Sequence, residues 1–320
     1  MTRNIFDGVL FAVTREDHQI ETQIIKKHNI SKMLTVCSGG CVPLSLKAIF
    51  PKLYIMAFDI NRHQIYHAKK KSQAANESKF TALNIGNKND NCLNQSGKFE
   101  TMFQSLRNVF YERVANINMV KMFFDHGLPM EKRIKTLRSW EKHANIREPF
   151  EHVFNDRSIE KVFSDNATKQ GEKGTYVSYF FKKIIQGMNH PNAHNNPFLQ
   201  HIFLGYYKSS SVFPYMENKT NPNIDYHIGS LIDIGSIRKF DFINLSNLFD
   251  WGNSEFIIQC IKMLSTLKKK SVVLLRQLNN NKNWITYLNK SFYEDTSFDL
   301  YWQENDRSMF YDHFRLFIKR

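Results

Sequence analysis

The chain has 320 residues, 42% of them hydrophobic and 14% aromatic, with 27 Phe, which excludes a disordered protein and is enough to bury a substantial core. Its 44 Lys and Arg against 30 Asp and Glu give a formal charge of +14, which predicts attraction to anionic surfaces: a nucleic acid, an acidic lipid headgroup, or nothing specific. No run of about 18 uninterrupted apolar residues occurs, which argues against a membrane-spanning helix, and residues 1–7 lack the basic-then-apolar layout of a signal peptide. A cytoplasmic protein is expected.

In chain order, the first informative stretch is MLTVCSGGCVPLSLKAIFPKLYIMAFDINRHQ at residues 33–64. It reads as a strand (33–36), a glycine turn at Ser38-Gly39-Gly40, an amphipathic helix, a second strand (54–58) and then Asp59. Such a unit, expected over residues 31–72, holds an adenosine in nucleotide-binding α/β folds. Glycines let the ligand approach the backbone, and an acid about twenty residues on accepts hydrogen bonds from the ribose hydroxyls. The G-x-G-x-x-G pyrophosphate fingerprint is missing, so a ligand without phosphates fits better, S-adenosylmethionine above all. An ordinary βαβ unit with a chance acid is the competing reading.

Residues 80–85 are expected to form a third strand. Residues 95–220 then switch to helical periodicity, with Phe99, Phe103, Leu106, Phe110 and Val114 on one face, broken by polar loops at 164–174 and 188–197. Strand patterning returns at residues 240–245, which end on Ser246-Asn247. A helix (254–267) and a strand (271–275) follow, and the runs 298–302 and 314–318 read as a closing pair of strands. The triplets Lys69-Lys70-Lys71 and Lys268-Lys269-Lys270 are expected at helix ends, where cations complement the dipole. The fold class is thus α/β, a Rossmann-like fold with a large, mainly helical insertion. The expected divisions are 1–94 and 225–320 for the α/β domain and 95–224 for the insertion. Ligands of open α/β sheets sit beyond the carboxyl ends of the strands, which gathers Ser38, Gly39, Asp59, Asn84, Ser246, Asn247 and Arg276 into one crevice.

Four cysteines (Cys37, Cys41, Cys92, Cys260) supply neither a disulfide framework nor a complete zinc set. His63 and His67 lack an intervening Glu and suit a solvated helix face, and Pro191 separates His190 from His194. No metal is expected.

Several blocks in sequence order together resemble the S-adenosylmethionine:diacylglycerol 3-amino-3-carboxypropyltransferase family, the BtaA-like enzymes of betaine-lipid synthesis. They are FAVTREDHQIE (residues 11–21), SGGCVPLSL, AFDINRHQ, GKFETMF (97–103), NPFLQHIFLGYY (196–207), NLSNLFDW (244–251) and DRSMFYDHF (306–314). His18 departs from the proline frequent in the family. The resemblance implies attack of an acceptor hydroxyl on the γ-carbon of the aminocarboxypropyl arm, releasing 5′-methylthioadenosine. It implies S-adenosylmethionine as cofactor and a lipid acceptor, diacylglycerol, or another small molecule, with the basic surface docking on an anionic membrane.

On that resemblance Asp59 takes the ribose, Gly39 and Gly40 admit the cofactor, and Asn61 and Gln64 lie near the ribose or adenine. Arg307 is expected to hold the arm's carboxylate, with Asp306 or Tyr311 as the acceptor-side group. Asn244, Asn247 and Asp250 line the crevice, and Arg15, Glu16 and Asp17 close over it. Trp251, Phe198, Phe203, Tyr206 and Tyr207 wall an acyl channel. Two other classes stay open: a conventional S-adenosylmethionine-dependent methyltransferase, and a non-catalytic basic protein binding nucleic acid, for which no recognisable motif is present.

Overall fold

Along the buried strands, alternate side chains enter opposite cores. Met33, Phe242, Val272 and Leu274 belong to one apolar cluster, whereas Leu34, Ile243, Val273 and Leu275 belong to another. A sheet covered on both faces requires strands that are apolar on both sides, which is why these segments read as continuous hydrophobic runs. The computed structural model describes residues 7–163, 173–217, 223–280, 282–283, 285–288 and 290–320.

The strands are β1 (Lys32–Val36), β2 (Tyr54–Asp59), β3 (Asp225–Ile228), β4 (Phe242–Asn244), β5 (Val272–Gln277), β6 (Phe292–Glu294) and β7 (His313–Lys319). They form one sheet in the order β3-β2-β1-β4-β5-β7-β6. The first five are parallel, and β7 runs antiparallel to β5 and β6. The α/β class is therefore as expected, with a mostly parallel sheet.

Two strand assignments are corrected. Residues 80–85 do not enter the sheet; Phe80–Leu83 is a 3₁₀ turn, and Ile85 makes only an isolated bridge to Tyr207. Ser78 and Asn84, in left-handed conformations, bracket the segment, and the Ile85 N–H returns to the Phe80 carbonyl at 3.0 Å. Local bonds thus consume the groups a ladder needs, and β3 takes the place beside β2. The run 298–302 is helical, within Thr296–Asn305, capped by Asp295. Phe298 and Trp302, four apart, share a helix face, and the hairpin partner of β7 is β6.

Between helix Arg62–Asn76 and β3 the chain is largely helical. Lys98–Arg113, Met130–Glu141, Glu148–Phe154 and Tyr176–Asn189 are the larger pieces. Phe99, Phe103, Leu106 and Phe110 are buried in the same cluster as Phe242 and Phe314 of the sheet, so these helices and the sheet share a core. The loop at 188–197 contains a 3₁₀ turn, Ala193–Asn195; most of the loop at 164–174 lies outside the described residues. Among the described residues no helix is long and apolar enough to cross a membrane.

The lysine triplets differ from one another. Lys268 follows helix Ser254–Ser265 and pairs with Asp241. Lys69-Lys70-Lys71, by contrast, lies inside helix Arg62–Asn76, which continues because Ala74 and Ala75 still pack on the core. Lys71 is fully buried.

Candidate functional site

The carboxyl ends of β1, β2 and β4 meet where the strand order reverses, since β1 leads to β2 on one side and β4 to β5 on the other. Crevices of open α/β sheets form at this point. Here a cavity of about 210 Å³ is lined by Ser38 after β1, Asp59 and Asn61 at the end of β2, and Leu245, Ser246 and Asn247 after β4.

Asp59 closes β2. Its Oδ2 accepts the Ser38 N–H at 3.0 Å and its Oδ1 the Asn61 N–H at 2.9 Å. A carboxylate has four lone-pair positions, so each oxygen keeps capacity for a further donor. Burial pushes its carboxyl up to about 7, with the two backbone bonds pulling the other way. Ser38 (φ 47°) and Ser246 (φ 53°) both adopt the left-handed region without being glycine. Such strain costs roughly 1–3 kcal/mol per residue and persists only where the surroundings enforce it. Side chains do so here: Asp59 holds the Ser38 amide, and Asn244 Oδ1 accepts the Ser246 N–H at 3.0 Å.

The N-terminal segment, residues 10–17, straps across these strand ends. Gln64 Oε1 accepts the Leu10 and Phe11 N–H groups at 2.7 and 3.2 Å, and its Nε2 donates to the Phe11 carbonyl at 2.8 Å. Glu100 accepts the amides of Ala12 and Val13. Buried Lys71 donates from Nζ to the carbonyls of Ala12 and Gly39, both at 2.8 Å, tying strap to glycine turn. His67, expected on a solvated face, is buried against the Ala12 carbonyl, and burial lowers its pKa to about 3.

Gly39 is required by this strap. A Cβ there would stand 2.6 Å from the Thr14 nitrogen and 2.8 Å from the Val13 carbonyl carbon. Its glycine admits the chain's own backbone, and neither Gly39 nor Gly40 lines the cavity. Gly39→Ala should cost about 1–3 kcal/mol through overpacking against backbone that cannot yield. A thermal melt checks this; an unchanged midpoint would mean the strap is not seated.

The strap delivers Arg15 and Glu16 to the cavity wall. Arg15 turns its guanidinium away, donating from Nη2 to His201 Nδ1 at 2.7 Å, 3.8 Å from Glu100 and over the Phe103 ring. His201 in turn bonds the Asn94 carbonyl through Nε2 at 2.6 Å, which leaves Nδ1 as the acceptor. Glu16 accepts from the Ser246 hydroxyl and lies 3.2 Å from Arg276 Nη1. Arg276 also reaches Glu21 Oε1 at 2.6 Å and Asn244 Oδ1 at 3.1 Å. Burial raises the Glu21 carboxyl to about 7 despite that arginine, with Glu16 adding to the rise. Tyr311 lines the cavity beside this group, its hydroxyl pushed well above the ordinary value by burial and by the Glu16 carboxylate.

Several expected site residues lie elsewhere. Arg307 does not line the cavity. It grips Asp17 bidentately, Nε and Nη2 each at 2.6 Å, because the strap places the helix-capping carboxylate within its reach. Asp306 bonds Ser308 and belongs with Arg307 to a separate polar groove of about 430 Å³. Asn84 is buried in its turn and donates to the Asn89 carbonyl. Asn244 and Arg276 form the buried support behind the cavity rather than its wall. Asp250 caps the loop after β5 through Leu278 N and Asn280 Nδ2, both at 2.9 Å. Asn61 and Gln64 reach the wall, but Asn61 caps helix Arg62–Asn76 and Gln64 anchors the strap.

Trp251 lines the cavity as expected; Phe198, Phe203, Tyr206 and Tyr207 do not. The aromatic wall comes instead from Phe11, Phe99, Phe154, Phe163, Phe180 and Phe310. Sequence periodicity gave no signal for these, because an aromatic facing a cavity and one facing a core have the same spacing. Glu21, Lys71 and Glu100 were also missed, although Glu21 and Glu100 stand inside the blocks REDHQIE and GKFETMF. No protein-family model, no curated protein and no solved structure matches the chain.

Proposed function

We propose that the chain is an S-adenosylmethionine-dependent transferase that moves the 3-amino-3-carboxypropyl group to the hydroxyl of an apolar acceptor, diacylglycerol, with release of 5′-methylthioadenosine. The observation that carries this reading is the charge of the cavity. Its charged lining residues are Asp59, Glu16 and Arg15, two carboxylates against one guanidinium that points its Nη2 at His201. What faces a ligand is therefore acidic, which suits a sulfonium cation and opposes a pyrophosphate.

Asp59, at the tip of the second strand with free acceptor capacity on both oxygens, fits the two hydroxyls of a ribose. The reversed β7 between β5 and β6 accords with the S-adenosylmethionine-dependent version of a doubly wound sheet. The aromatic wall offers an apolar chamber to an acyl-bearing acceptor, and the family-like blocks supply Glu16, Asp59, Glu100, Ser246 and Tyr311. When bound, the cofactor supplies an electrophilic carbon and a neutral thioether leaving group. The chain's part is to hold the acceptor oxygen in line and exclude water, and positioning of this kind supplies most of the rate. Asp306, in its own groove, is not proposed for the acceptor side. The +14 charge favours work at an anionic membrane surface.

Incubation of the protein with S-adenosylmethionine and diacylglycerol vesicles, followed by mass spectrometry, tests the reading. 5′-Methylthioadenosine and a lipid carrying the aminocarboxypropyl increment are expected. S-adenosylhomocysteine would instead establish methyl transfer, and neither product, with no calorimetric binding, would remove the cofactor from the site.

A further inference from the structure

We infer that Glu16 is the group that takes the proton of the acceptor hydroxyl, and that Glu21 and Arg276 behind it form a charge reservoir matched to that step. This rests on the transferase reading above. Glu16 is the carboxylate that joins the cavity to the buried network: it lines the wall, accepts from the Ser246 hydroxyl and pairs with Arg276. Asp59, the other cavity carboxylate, is spoken for by the ribose, and Tyr311 is a hydroxyl held protonated, suited to donate rather than accept.

The charges behind Glu16 explain why a base belongs there. Two carboxylates, Glu16 and Glu21, share one guanidinium, with Asn244 bridging Glu21 to Thr35. Once Glu21 has lost its proton, above about pH 7, the group carries one surplus negative charge in a buried setting. A buried surplus charge is costly unless something compensates it, and a cationic ligand in the cavity does so. In the reaction the acceptor oxygen bonds the γ-carbon, and the carbon–sulfur bond breaks with its electron pair going to sulfur. The sulfonium charge disappears, and the hydroxyl proton passes to Glu16, directly or across Ser246. The network becomes neutral at the step in which the ligand does, so no uncompensated charge is left on either side.

The groups facing Glu16 are Arg276 and Ser246, with Tyr311 alongside. Glu21 and Asn244 stand behind them, Asp250 lies near Tyr311, and Asp306 is close enough to Arg276 to feel its charge. The left-handed Ser246 is consistent with this role, since its strain aims the hydroxyl at the carboxylate.

Glu16→Gln is the test, read by calorimetry with S-adenosylmethionine and by 5′-methylthioadenosine formation with diacylglycerol vesicles. The variant should lose affinity for S-adenosylmethionine by no more than about tenfold, the part of the sulfonium's attraction that Glu16 adds to Asp59, yet lose turnover by roughly a hundredfold or more, the usual contribution of a positioned base. Turnover within about tenfold of the parent, or affinity falling in step with turnover, would overturn the assignment. If the Gln variant does not fold, Glu16→Asp keeps the charge pair and withdraws the carboxylate by one methylene. Lower turnover at unchanged affinity would then support the role, and unchanged turnover would overturn it. A parent that neither binds S-adenosylmethionine nor forms product would instead defeat the transferase reading itself.

Discussion

Replacing Asp59 with Asn should weaken S-adenosylmethionine binding by roughly thirtyfold to several hundredfold, the loss of about 2–4 kcal/mol from hydrogen bonds to an ionised acceptor. The same substitution should improve the relative stability of the unliganded protein in alkali. The folded-state carboxyl sits at about 7 against an ordinary value of 3.8. Between those values the native state holds the proton more tightly than the unfolded chain. The stabilisation from this group is therefore complete below the ordinary value and is lost as pH rises to about 7. Asn carries no such linkage. The stability of the Asn variant relative to the parent should accordingly rise from about pH 4 to about pH 8. Binding follows the opposite sign, because ribose hydroxyls donate best to the ionised carboxylate. Parent affinity should fall as pH drops below about 7, and the Asn variant should show a flatter profile. Calorimetry and denaturant melts across that range check both. Parallel pH profiles in parent and variant would take Asp59 out of the ribose site.

Arg276→Met is expected to be the most damaging single change for stability, costing about 3–5 kcal/mol at pH 8, as breaking a buried ion pair from one side does. That is a large part of the 5–15 kcal/mol typical of a whole domain. The guanidinium serves Glu16, Glu21 and Asn244 at once. Without it two buried carboxylates face each other with no counter-charge. Lys cannot replace it, since a point charge does not span three acceptors in a planar fork. The loss should shrink toward acid pH, where Glu21, already raised by burial, takes a proton and the repulsion ends. Adding Glu16→Gln and Glu21→Gln to Arg276→Met should recover part of the stability at pH 8, measured by the denaturant midpoint. A midpoint unaffected by pH in the single variant would show that charge is not what Arg276 compensates.

These two residues differ in how far the sequence exposed them. The place of Asp59 at the end of β2 and on the cavity wall was legible because local order sets it: an apolar strand, a glycine turn, a helix, another strand, then an acid. Arg276 was placed near the crevice by the same strand-end rule, yet its partners lie 255 and 260 positions away, at Glu21 and Glu16. Arg307 shows the opposite failure. Its residue type suited a carboxylate, but the nearest carboxylate in the fold is the chain's own Asp17.

The sequence by itself determined the α/β class, the first strand–turn–helix–strand unit, the mainly helical character within residues 95–220, and the acid at the end of β2. Each follows from periodicity and local propensity, which act over a few residues. Tertiary structure alone decided that residues 225–228 rather than 80–85 stand beside β2, and that residues 298–302 form a helix beside the closing hairpin. It also decided that Lys71 is buried under a strap and that Glu16 faces the cavity while Arg15 turns away. The physical reason is common to these cases. A backbone group or a buried charge is satisfied by whichever partner the folded chain brings within about 3 Å, and separation along the sequence does not limit that choice.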